Sequence, residues 1–206
     1  MSTHFRTALR NKAALLLLRL LLVITGRLPL ALSRRLGRGF GFCYYAANTR
    51  GRHVAATNIG LAYPHLDPSE RHRLVKATLQ ETGVLAFEMG HVWYRPWEHT
   101  QQLIVDTEGV DLVLAALQDG RGVIVLGPHL GNWEVLGLHL ATLGDMVALF
   151  EPPKIDTLGP LIKVARERSG GRLVPTTPRG LADLAKSVKA GGISGILPDQ
   201  VPDSPA

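Results

Sequence analysis

Between Ala13 and Thr25 the chain reads AALLLLRLLLVIT, apolar throughout except for Arg19. As a helix this run is about 20 Å long at roughly 1.5 Å per residue. A bilayer span takes about 20 apolar residues, so the pattern predicts a helix lying in a membrane interface rather than crossing it. A short or tilted span with Arg19 snorkelling is the alternative. Asp67-Pro68-Ser69-Glu70 has the form of a helix start. The helix it opens is expected to run to about Trp93, with Leu74, Thr78, Leu85 and Met89 on its inward face, and to stop before Pro96. The aromatics Trp93, Tyr94 and Trp97 read as core, with a membrane-interface belt as the alternative. Beyond them, helices and short β-branched runs alternate. Residues 109–119 form a helix ending at Gly120, residues 122–126 (GVIVL) a buried strand, and residues 133–143 a helix. Residues 147–150 follow as a strand, 158–168 and 181–190 as helices, and 195–197 as a strand closed by Pro198. This alternation predicts an α/β fold: a mixed β-sheet flanked by helices, preceded by an N-terminal membrane-associated helical arm. The arm is drawn over residues 1–50 and the α/β domain over residues 51–206.

Charge sharpens the division. The first 66 residues hold ten Lys and Arg and no acid, whereas residues 67–206 hold 13 bases and 17 acids. A greasy run flanked by arginines suits an anionic lipid surface, where both halves are satisfied. A secretory signal and a leucine-rich core helix are the competing readings; Thr25-Gly26-Arg27 makes a poor cleavage site. No helix-turn-helix, zinc-finger or RNA-recognition pattern accompanies the bases, so nucleic acid is not an expected partner. The composition, 46% hydrophobic with 19% charged residues, excludes a disordered or coiled-coil chain. Cys43 is the one cysteine, which excludes an intrachain disulfide and a cysteine-built zinc site.

The chemistry gathers in Gly127–Glu134, GPHLGNWE, between a strand and a helix, where open α/β sheets bind ligands. Gly127, Pro128 and Gly131 allow a tight turn, and Asn132 is a candidate N-cap. On one continuous helix, His129 and Glu134 stand about 140° apart. With His129 in the turn ahead of the helix, Glu134 can instead accept a hydrogen bond from one imidazole nitrogen, leaving the other to take a hydroxyl proton. The same spacing equally fits His129 capping the turn and Glu134 complementing the helix dipole; spacing does not choose between these readings. His129, Glu134 and His139 lack the spacing of a zinc helix, so no metal is expected. Gly37–Gly41 (GRGFG) follows no clear strand and lacks the third glycine spacing of a nucleotide loop.

HLGNWE, with its His-x4-Glu, resembles the first motif of the bacterial lipid A biosynthesis acyltransferases, the late acyltransferases of the wider lysophospholipid acyltransferase superfamily. Arg52–Pro64 with Asn58-Ile59, GVIVLGPH, Glu151-Pro152-Pro153-Lys154, Arg166–Gly171 and Leu197-Pro198-Asp199-Gln200 match in order, over essentially the whole chain. The resemblance implies transfer of a fatty acyl chain from acyl carrier protein to a hydroxyl of a lipid A precursor, at the cytoplasmic face of the cell inner membrane, without a cofactor. It implies His129 as general base and Glu134 as its partner. Asn132, Arg166, Arg168 and Asp199 fall to substrate binding and support of the site. An acidic carrier would dock on a basic face, for which Arg71, Arg73, Lys76, Lys163, Arg166 and Arg168 are the candidates. Another glycolipid acceptor, such as an inositol mannoside, or a non-catalytic lipid-binding role are the alternatives. Two departures stand out. Members of the family continue for roughly another hundred residues, so the chain looks C-terminally truncated. Glu151 also stands where many members carry a base.

Overall fold

The computed structural model describes residues 3–153, 155 and 158–199, with side chains from residue 11 onward. Lys154, Gln200 and Pro202, and the side chains of Arg6 and Arg10, lie outside the described residues. The chain divides into two compact units: a helical one over Leu18–Tyr94, and an α/β one that takes in the described residues before Leu18 and those from Arg95 onward.

The helical unit contains the end of α1 (Thr3–Arg27), then α2 (Leu30–Ala46), α3 (Arg50–Ala62) and α4 (Pro68–Met89), which runs on into a π-helical turn over Gly90–Tyr94. Helix α4 starts where the sequence places it. The Asp67 carboxylate accepts from the Ser69 and Glu70 amides, and Glu70 reaches back to the Asp67 N–H, a complete capping box. Its inward face is turned by about one residue from expectation. Val75, Leu79, Val84 and Met89 are buried, Leu74 and Leu85 half-buried, and Thr78 is exposed with its hydroxyl donated to the Leu74 carbonyl.

The cause is α2, which the sequence pattern did not reveal because three glycines interrupt it. Gly37 and Gly41 form one seam with Gly83 of α4. A Cβ on Gly37 would stand 2.6 Å from the Gly83 carbonyl oxygen. Two backbones that close admit no side chains, so the GRGFG string is a helix-packing surface. Arg34 and Arg38 of α2 flank the seam and pair with Glu88 and Glu81 of α4 at 2.6 and 2.7 Å. Arg50 is the first residue of α3 and so falls inside this bundle. The outer face of α1 exposes Leu16, Leu17, Leu20 and Ile24. Among the described residues no helix is long and apolar enough to cross a membrane.

The α/β unit holds α5 (Trp97–Gln101), α6 (Val110–Gln118), β1 (Val123–Leu126), α7 (Trp133–Leu140), β2 (Val147–Phe150), α8 (Gly159–Glu167), β3 (Arg172–Pro175), α9 (Pro178–Lys189) and β4 (Ile193–Ile196). Strand β3 has no counterpart in the sequence reading, since Gly-Gly before it and a terminal proline leave only two apolar residues to signal it. Every pairing among the described residues is parallel, not mixed: β1 with β4, and β2 with β3. A parallel bridge between Met146 and Ile193 joins the two pairs. Parallel strands follow from the connections, because each strand returns through a helix. Helix α9 covers one face, packing Leu184 and Val188 on Val147 and Val174. On the other face Leu140 and Ala141 pack with Met146 and Ile193, alongside Val113 and Leu117 of α6. Of the three aromatics expected in the core, Trp97 is buried, Trp93 half-buried and Tyr94 exposed.

Candidate active site

Strands β1 and β4 run parallel in register, with Leu126 opposite Ile196 and the Gly127 N–H bonded to the Ile196 carbonyl at 2.9 Å. Both strands are ended by proline, Pro128 and Pro198, and both prolines are followed by an ionisable residue. The pairing therefore brings residues 70 apart in sequence side by side. The backbone N–H of His129 donates to Asp199 Oδ2 at 2.7 Å, and His129 Nδ1 lies 2.8 Å from Asp199 Oδ1. These contacts, the side-chain one first and the backbone one second, hold the Asp199 carboxyl below its ordinary pKa, against the opposing effect of burial. An ionised carboxylate only accepts, so Nδ1 carries a proton, and in the neutral ring Nε2 is then the acceptor. The Trp133 ring meets the imidazole edge-on, 4.8 Å between centroids.

His129 thus occupies the turn ahead of α7, as the sequence reading required. The carboxylate on its ring is Asp199, however, and not Glu134. Glu134 lies in the first turn of α7, buried, and is gripped by Arg166 of α8. Arg166 Nε donates to Oε2 at 2.9 Å and to Oε1 at 3.1 Å, and Nη2 to Oε1 at 2.5 Å. The guanidinium also stands 5.7 Å above the Phe150 ring. The reason is one of reach. His129 follows β1 toward the end of β4, whereas Glu134 leaves the start of α7 toward α8. The clue to Asp199 was present in the sequence, in the two strand-Pro-ionisable strings, but which strands pair is a tertiary fact.

His129, Glu134 and Arg166 line one cavity of about 200 Å³, whose walls are otherwise almost wholly apolar. Asn132 and Arg168 are not among its lining residues. Asn132 holds the N-cap position of α7 without a side-chain capping bond, and its carbonyl accepts from Val135 at 3.1 Å. Gly131 before it has φ +58°, the left-handed conformation that glycine takes without strain. Arg168 braces main chain, donating to the Ala165 carbonyl at 3.1 Å and to that of Arg95. Burial pushes its guanidinium below the ordinary arginine pKa. Glu151, at the end of β2, accepts from the Thr176 hydroxyl at the end of β3. Of the proposed carrier-docking bases, Arg71, Arg73 and Lys76 lie on α4, with Lys76 over the Phe42 ring, and Lys163 lies on α8, 3.8 Å from Glu167. His139 is half-buried on α7. Among the described residues no three His, Cys, Asp or Glu side chains converge as a metal site.

The sequence profile of the bacterial lipid A biosynthesis acyltransferases matches residues 2–204. The chain belongs to that family. Among similar proteins, the lipid A biosynthesis palmitoleoyltransferase of Escherichia coli strain K12 is 24% identical over 151 residues, covering 73% of this chain and 48% of its own. The lipid A biosynthesis lauroyltransferase of the same organism is 21% identical over 173 residues, covering 84% of this chain and 56% of its own. A lipid A biosynthesis acyltransferase of Haemophilus influenzae is 26% identical over 124 residues, covering 57% and 39%. The chain spans about half the length of the curated relatives it matches.

Proposed function

We propose that the protein transfers a fatty acyl chain from an acyl carrier protein thioester to a hydroxyl of a lipid A precursor. The observation that carries this reading is an imidazole, fixed in one tautomer by Asp199, at an apolar cavity large enough to begin accepting a hydrocarbon chain. His129 Nε2 takes the proton of the acceptor hydroxyl as its oxygen attacks the thioester carbonyl. The tetrahedral intermediate collapses, the C–S bond breaks, and the imidazolium returns the proton to the leaving thiolate. Asp199 stabilises the imidazolium in between, as the carboxylate of a catalytic triad does. A positioned base supplies about 10²- to 10⁴-fold. The thioester is already activated, so the transfer draws on no added cofactor.

Arg166 is the cation nearest to hand for the developing oxyanion, and Glu134 holds it there. The Gly131 and Asn132 amides at the start of α7 are further donors. Arg168, by tying the end of α8 to the Arg95 carbonyl, supports Arg166 from outside the cavity. The exposed leucines of α1 and the arginines around them would seat the protein on the cytoplasmic face of the inner membrane, lying flat in its surface. The test is the full-length protein with acyl carrier thioester and lipid A precursor. His129→Ala should abolish transfer and leave membrane binding intact. Unchanged transfer defeats the mechanism, and product on a different glycolipid, read by mass spectrometry, redirects the acceptor.

A further inference from the structure

The cavity has an axis, and the strand register gives it. Val125 of β1 pairs with Gly195 of β4, and Ala148 of β2 pairs with Leu173 of β3. The Met146–Ile193 bridge sets β4 against β2, so two residues further along Gly195 comes level with Ala148. Val125, Gly195, Ala148 and Leu173 therefore form one row across all four strands, and all four line the cavity. Above this row, toward His129, stand Gly127 and Leu197; below it stand Met146 and Gly171. From the upper level to Met146 is four residues of strand, about 13 Å at roughly 3.3 Å per residue. Helix α7 roofs the channel, beginning beside the His129 ring and ending at Leu140, which packs on Met146.

The middle of the row is missing its side chain. A Cβ on Gly195 would lie 3.6 Å from the Met146 methyl and 3.7 Å from Leu140 Cδ1. That is ordinary contact, so the absent side chain leaves open the space directly above those two groups. Ile193, one step below, is fully buried and is not among the cavity's lining residues. We propose that Gly195 and Met146 are the length gauge of the acyl site: Gly195 admits the chain to the lower half of the channel, and Met146 with Leu140 stops it. The proposal rests on the acyl-transfer reading above and deepens it.

The gauge is tested by binding, apart from chemistry. Free fatty acids of about eight to about eighteen carbons are titrated below their micelle concentration against the full-length protein, using displacement of a fluorescent fatty acid, and each methylene newly buried should raise affinity about fourfold until the chain reaches Met146. Gly195→Val, whose branches fill the gap without backbone strain, should end that rise at a shorter chain. Met146→Ala should end it at a longer one. Gly195→Ala serves as the milder step should either variant fold poorly. One plateau shared by the wild type and Gly195→Val overturns the proposal. So does the absence of saturable binding by the wild type, which also removes the acyl reading of the cavity. A shifted plateau beside undiminished transfer by His129→Ala upholds the gauge and sinks only the His129 mechanism.

Discussion

Replacing Arg166 by methionine is the sharpest probe of how the site is built. Glu134, its partner, has a side chain only 5% exposed, whereas Arg166 is 35% exposed. Three charge-assisted contacts between 2.5 and 3.1 Å join them. Arg166→Met strips the guanidinium from a carboxylate that is almost wholly buried. Breaking a buried pair from one side costs on the order of 3–5 kcal/mol, and the partial exposure of Arg166 places this case at about 3. Glu134→Gln is milder, because the amide still accepts a hydrogen bond and the half-open guanidinium can turn outward; about 1–2 kcal/mol is expected. The double change Glu134→Leu with Arg166→Met removes both charges and should recover much of the loss. Urea unfolding of the four proteins under one set of conditions reads these differences. Equal costs for the two single changes, or a cost under about 1 kcal/mol for Arg166→Met, would refute the asymmetry argument. A conventional relay, with Glu134 serving the imidazole, predicts neither the asymmetry nor the rescue.

Asp199→Asn should cut kcat by about 10²- to 10⁴-fold with little change in KM, because an amide no longer fixes the proton on Nδ1; a loss confined to KM would contradict this, as read by steady-state transfer assays. The depressed Asp199 pKa means that its contact with His129 stabilises the fold at neutral pH, and that the contribution is lost as pH falls through the lowered folded value. Carboxyl resonances followed by NMR should show Asp199 titrating below the ordinary aspartate range, and normal titration would count against the contact. Gly37→Val inserts a side chain 2.6 Å from backbone at its Cβ alone, and should destabilise by at least about 1–3 kcal/mol in urea unfolding. Asp67→Ala opens the capping box of α4 and should cost about 1 kcal/mol, visible as a lower Tm.

Much of this protein is written locally. The capping box at Asp67, the strand runs VIVL and VALF, and the glycine-proline break that lifts His129 out of its strand depend on neighbours within a few residues, so periodicity and turn chemistry expose them. The GPHLGNWE segment likewise announces a ligand site, because a strand end meeting a helix start supplies one whatever the rest of the chain does. Partners are another matter. His129 took Asp199 because β1 and β4 lie side by side in parallel, and Glu134 took Arg166 because α7 lies against α8. Helix α2 exists through a glycine seam that only its neighbour makes sense of, and that seam turned α4 by a residue. In each case the deciding contact spans tens of residues. Short-range pattern names which groups are available for chemistry; the packing of strands and helices selects which of them touch.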